Sequence, residues 1–315
     1  MPLDRNVAAF LQFVESLGQP QMWEGTPEVA RAAIRTLMVD LVDPSTLPVV
    51  ASIEPITIDG TIPARVYRPE TTGPVPTIVF LHGGGFVIGD LDTHDGICRR
   101  LCRDTEAVVV SVDYGLAPEN RFPRAVEDSY AALGYVAGHI DEFGGDASRI
   151  AIGGDSAGGN LSAVCAQLAH ADGLHLVAQL LVYPAVDLLG EYPSREENAD
   201  GYFLTLAEMR WFAEHYTGMT EDDPRLADVA QDPRLSPLLA ADLSGLPPAV
   251  VATAEFDPLR DEGNRYADAL TEAGVRVEHQ QFAGLIHGFY GLEHLSPTIE
   301  DATAWINATF KKLIG

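Results

Sequence analysis

Short runs rich in β-branched and apolar residues recur along the chain from about residue 53. They are Ile53–Ile58, Ala64–Tyr67, Thr77–Leu81, Ala107–Val112, Arg149–Ile152, Val177–Tyr183, Ala249–Ala254 and Val275–Phe282. Between the later runs lie segments whose apolar residues return every three or four positions, near 93–104, 122–140, 157–171, 260–273 and 298–313. Period two marks strands and period 3.6 marks helices. Repeated strand, helix, strand order therefore predicts an α/β fold: an eight-stranded, mostly parallel sheet with helices on both faces. Only Asp59-Gly60, a hairpin turn signal, separates the first two runs, so the sheet should begin antiparallel.

Two helical segments stand outside this alternation. In the first, Val7, Phe10, Leu11, Val14 and Leu17 follow one helix face, and a second helix should begin with Thr26 as N-cap and Pro27 at its first position. In the other, Thr205-Leu-Ala-Glu208 reads as a capping box opening a helix with Met209, Trp211 and Phe212. Ligands of open α/β folds bind at the carboxyl edge of the sheet, which makes that edge the natural seat for these helices as a cap. The expected division is cap helices in 1–50, a core in 51–190 and 226–315, and a cap insertion in 191–225. Without repeats or a low-complexity linker, one domain with a cap is favoured over two independent ones.

The 315 residues include 46 acidic and 20 basic ones, a net charge of −26 that repels phosphate backbones and anionic lipid heads. Nucleic acid is thus an unexpected partner. No apolar stretch suits membrane insertion, since Leu174–Leu189 is broken by His175, Gln179, Pro184 and Asp187, and the first residues do not read as a signal peptide. Cys98, Cys102 and Cys165 lack zinc or CxxC spacing, and the first two suit one buried helix face; a reducing, cytoplasmic setting is expected.

Gly154-Asp155-Ser156-Ala157-Gly158 lies between a predicted strand and a predicted helix. Small neighbours let a serine stand at a sharp strand-to-helix turn with its hydroxyl clear of the sheet, so Ser156 is the candidate nucleophile. A serine hydroxyl needs a histidine to take its proton and a carboxylate to orient that histidine. His287, in the glycine-flanked segment Gly284-Leu-Ile-His-Gly-Phe289 after the last strand, is the candidate base, whereas His279 lies inside the strand and His294 in a polar segment beyond. Asp257 follows the strand at 249–254 and is the candidate acid, with Asp187 the weaker alternative and Glu255 still within the strand. The order Ser156, Asp257, His287 is that of α/β hydrolases. His82-Gly-Gly-Gly85 follows another strand, so Gly84, Gly85 and Ala157 are the candidate backbone donors to an oxyanion, with His82 as an anchor of that loop. The glycine run lacks the lysine of a phosphate loop.

Taken together, His82-Gly-Gly-Gly-Phe-Val-Ile-Gly89 with His94-Asp95, Ala117-Pro-Glu119, Gly153-Gly-Asp-Ser-Ala-Gly-Gly-Asn160, Asp257-Pro-Leu-Arg-Asp-Glu-Gly263 and His287-Gly-Phe289 resemble the hormone-sensitive-lipase family of esterases, bacterial family IV. The resemblance spans about 82–289 and implies carboxylesterase activity on small, short-to-medium acyl esters, a cap from the N-terminus and a mid-chain insertion, no metal or organic cofactor, and a homodimer through the last strand. Lipase, lactonase or amidase chemistry on the same site is the alternative within enzymes, and a non-catalytic ligand receptor the alternative outside them. One position departs from the family: Gly115 stands where an arginine usually precedes Leu-Ala-Pro-Glu, which puts the rigidity of that loop in question, with Arg121 as the candidate replacement. The acidic surface predicts a preference for neutral over anionic esters.

Overall fold

The computed structural model describes residues 2–18 and 21–315. Eight strands form one sheet: β1 (Ser52–Ile58), β2 (Ile62–Arg68), β3 (Val75–Leu81), β4 (Val108–Val112), β5 (Gly145–Asp155), β6 (Ala178–Val182), β7 (Ala249–Phe256) and β8 (Val277–Ile286). Their order is β1-β2-β4-β3-β5-β6-β7-β8. β1 pairs antiparallel with β2 and β2 with β4, and every later pairing is parallel. Asp59 and Gly60 both take positive φ in the three-residue turn Asp59, Gly60, Thr61, which Thr61 N closes by donating to Ile58 O at 3.0 Å.

Among the described residues the α-helices are α1 (Arg5–Ser16), α2 (Pro27–Arg35), α3 (Asp95–Thr105), α4 (Arg124–Gly138), α5 (Ala157–Asp172), α6 (Pro193–Glu197), α7 (Leu206–Thr217), α8 (Leu226–Val229), α9 (Arg260–Glu272) and α10 (Pro297–Ile314). The central strands are apolar on both faces because both faces are covered. Val79, Leu81, Val110 and Ile152 pack on one side with α4 and α5, while Ile78, Phe80, Val109 and Ala151 pack on the other with α3 and α10. Cys98 and Cys102 are buried on α3, as their four-residue spacing suggests.

α2 opens with Thr26 as N-cap and Pro27 at its first position. α7 opens with the Thr205/Glu208 capping box, each side chain bonded to the other's backbone N–H. Both helices, with α1 and α6, wall a cavity of about 1820 Å³ that also exposes Ser156 and His287. No helix among the described residues is long and apolar enough to cross a membrane.

β5 is longer than the apolar pattern predicts. It starts at Gly145, where the polar Asp146-Ala-Ser148 precedes its apolar run, and is drawn into the sheet by pairing of Val75 with Gly145.

Candidate active site

Ser156 sits between the end of β5 and the first residue of α5 with φ +55° and ψ −118°, a conformation that side chains rarely adopt. Such an elbow exists only because its flanks carry no bulk. A Cβ on Gly158 would lie 1.9 Å from the Leu81 carbonyl oxygen, and one on Gly154 would lie 2.4 Å from that oxygen and from the Gly158 carbonyl oxygen. The chain therefore doubles back tightly against the end of β3, leaving the hydroxyl at the cavity floor.

β7 ends one residue before Asp257, and β8 ends one residue before His287. Because these strands are parallel neighbours, their carboxyl ends deliver both residues to the same edge as Ser156. His287 Nε2 is 2.9 Å from Ser156 Oγ, and His287 Nδ1 is 2.9 Å from Asp257 Oδ2. The ionised carboxylate only accepts, so Nδ1 carries the proton and Nε2 is left to accept from the serine hydroxyl. Asp257 is fully buried; its Oδ1 accepts from Leu259 N at 2.8 Å and its backbone carbonyl from Asn198 Nδ2 at 3.2 Å. The Tyr183 ring lies 4.6 Å from the imidazole, centroid to centroid, and limits its swing.

Asp187, Glu255 and His279 are engaged elsewhere. Asp187 accepts from Tyr192 Oη and Gly190 N, Glu255 accepts from Gly284 N, and His279 lies beside Asn264. His294 belongs to the short turn Glu293–Leu295.

The glycine loop after β3 runs along the same edge. Gly84 and Gly85 have φ of +120° and +58°, and Val87 N and Ile88 N both donate to Gly84 O. A Cβ at Gly84 would meet Ile88 O at 2.2 Å, and one at Gly85 would strike the Phe212 ring at 2.3 Å. Gly83 N donates to Asp155 Oδ1 at 2.9 Å, with His94 Nε2 at 3.2 Å. Ala157 opens α5 beside Ser156, so its N–H is among the helix's first, which have no partner within the helix. His82 is fully buried, with Nδ1 2.8 Å from Gly83 O and its ring stacked on Tyr114 at 4.3 Å. Burial, joined by the neighbouring His94, pushes the His82 pKa down to about 4. Glu208, buried in the cavity wall, is pushed the other way by burial, against its bonds to Thr205.

Arg121 does not replace the missing family arginine. Its guanidinium lies against Gly218, whereas Glu119 is held by Arg31 of α2 in a forked pair, Nη1 to Oε1 at 2.8 Å and Nη2 to Oε2 at 2.7 Å. That pair holds the Glu119 carboxyl at about 2. At Gly115 itself a Cβ would come within 3.0 Å of Asn120 and 3.1 Å of Asp128 Oδ2, so the backbone there sits where a side chain would crowd the loop. Arg31 carries no sequence signal, because its partner is 88 positions away. Asp155 was readable only as the variable residue of the serine motif, and its bond to Gly83 joins positions 72 apart.

Residues 78–291 match a family described as having the alpha/beta hydrolase fold. Carboxylesterase NlhH of Mycobacterium tuberculosis is 44% identical over 296 residues, covering 91% of this chain and 89% of that protein. Carboxylic ester hydrolase LipN of the same organism is 50% identical over 242 residues, which are 75% of this chain, and the chain spans only 63% of its length. The solved hyperthermophilic esterase of the archaeon Pyrobaculum calidifontis superposes with a TM-score of 0.92 at 42% identity, over 99% of both chains. On the strength of these matches the chain belongs to the hormone-sensitive-lipase-like family of α/β hydrolases.

Proposed function

We propose that this protein is a serine carboxylesterase acting on small, short-to-medium acyl esters, with residues 1–50 and 191–225 forming a cap over a hydrolase core. The observation that carries this reading is the unbroken chain Asp257, His287, Ser156, with 2.9 Å at each link, opening into a cavity walled by those two segments. The esterase names of NlhH and of the Pyrobaculum enzyme support the reaction class.

In this mechanism His287 Nε2 takes the hydroxyl proton as Ser156 Oγ attacks the ester carbonyl carbon, and the carbonyl π electrons move onto oxygen. The N–H groups of Gly84, Gly85 and Ala157 receive the resulting oxyanion. Asp257 stabilises the imidazolium through Nδ1–H. When the tetrahedral intermediate collapses, the C–O bond to the alcohol breaks and His287 returns its proton to the leaving oxygen. Water then repeats the sequence on the acyl-serine and releases the acid.

Apolar side chains such as Leu11, Val29 and Phe212 line the cavity and suit a hydrocarbon acyl or alcohol group. The negative surface favours neutral esters over anionic ones. The test is kcat/KM for p-nitrophenyl esters of rising acyl length, set beside a matched amide and a succinyl ester. A maximum at short-to-medium neutral chains, with the amide and the succinyl ester slower, is expected. A maximum on emulsified long-chain triglyceride, or a faster amide, would overturn the substrate class.

A further inference from the structure

Arg31 lies on α2, outside the sheet, yet its guanidinium does more than pair with Glu119. Nε donates to the Val87 carbonyl oxygen at 2.8 Å, and Nη2 donates to the Ala117 carbonyl oxygen at 2.8 Å as well as to Glu119. Nη1 completes the fork. Of the five N–H bonds of a guanidinium, four are thus committed, two of them to backbone oxygens.

Those two oxygens bracket the glycine loop. Val87 N is bonded back to Gly84 O, so the residue whose carbonyl Arg31 grips is the one that closes the Gly84 turn. Ala117, whose carbonyl takes the other bond, sends its own N–H to Phe86 O at 2.8 Å. Arg31 therefore pins both strands of the frame that fixes Gly84 and Gly85. The loop has little stiffness of its own, because glycines at φ +120° and +58° have no side chains to pack.

We infer that Arg31 is a positioning residue for ester hydrolysis: it sets the backbone N–H groups of Gly84 and Gly85 through Val87 and Ala117, and so makes the oxyanion site depend on the docking of α2. Because this role rests on Gly84 and Gly85 being the oxyanion donors, it is separable from the assignment of the nucleophile.

Arg35 supplies the internal control. It lies one turn further along α2 and pairs with Asp90 at 3.2 Å and Asp92 at 2.9 Å, both through side chains, without touching the glycine-loop backbone. Its pairs are exposed and screened. The first variant is Arg31→Lys, which keeps the charge beside Glu119 but cannot reach Val87 O, Ala117 O and Glu119 together. Expected is a fall in kcat of about tenfold with KM within about twofold, and about a hundredfold for Arg31→Met, since small displacements of oxyanion donors act on the transition state. Binding of a trifluoromethyl ketone, which forms the tetrahedral adduct, should weaken in parallel with kcat. Arg35→Met should stay within about twofold of wild type.

Wild-type kcat in folded Arg31→Lys and Arg31→Met, even with lowered melting temperature, would overturn the positioning role while leaving Ser156 as nucleophile untouched. Equal losses in Arg31→Lys and Arg35→Met would also overturn it, because cap docking in general would then explain both. Should Arg31→Met not fold, the kcat and ketone measurements on Arg31→Lys decide alone.

Discussion

Asp257 makes two side-chain hydrogen bonds that one substitution can set against each other. Oδ1 accepts from Leu259 N and Oδ2 accepts from His287 Nδ1, so an asparagine that keeps the Leu259 bond must present its NH2 to the imidazole. Nδ1 would then have to accept, the ring proton would move to Nε2, and Ser156 would face a donor in place of a base. Asp257→Asn should therefore lower kcat by about 10²–10⁴ with the fold intact, read by ester kinetics and near-ultraviolet circular dichroism. Activity within a few-fold of wild type would remove Asp257 from the chemistry. The candidates Ser156, His287 and Asp257, which the structure brings together, are legible in the sequence because each stands in a short local pattern at a strand end. Arg31 was not: four hydrogen bonds to residues 56 to 88 positions away leave no local trace.

At the level of elements, the loop from β3 to α3 begins at the buried His82, whose ring bonds to the loop's own backbone. His82 Nδ1–H donates to Gly83 O, which leaves Nε2 buried with no hydrogen-bond partner. A proton there would be a buried charge without an acceptor, and this desolvation holds the pKa at about 4, below the ordinary histidine value of about 6.5. The unfolded chain thus takes up the proton first as pH falls. Stability from neutral His82 is fully present above about pH 6.5 and is lost progressively down to about pH 4, about 3 kcal/mol across the window. Urea unfolding at stepped pH should show this slope in wild type and a flatter one in His82→Gln, and equal slopes would contradict the role given to His82. The strands and helices were legible from periodicity, with the opening of β5 as the exception: its polar first residues are ordered by pairing with β3, which lies about 70 positions upstream.

For the molecule as a whole, parallel strands gather the ends of β3, β5, β7 and β8 at one edge, and residues of α1, α2, α6 and α7 wall the cavity that opens there. The net charge of −26 excludes neither fold nor chemistry; it acts at long range on what approaches the cavity. Salt shortens that reach to about 10 Å at 0.1 M, so any preference for neutral over succinyl esters should narrow as salt rises. The contacts of the helices that line the cavity are beyond the reach of periodicity, since Phe212 against Gly85 and Tyr216 stacked 3.9 Å from Phe86 join distant segments. The central claim is that these distant segments converge on one activated serine. Its most direct test is mass spectrometry after exposure to a p-nitrophenyl phosphonate, in wild type and in Ser156→Ala: one phosphonyl group on Ser156 with loss of esterase activity, and none in the variant, is the predicted result. Unlabelled, folded wild-type protein, or equal labelling of Ser156→Ala, would contradict it.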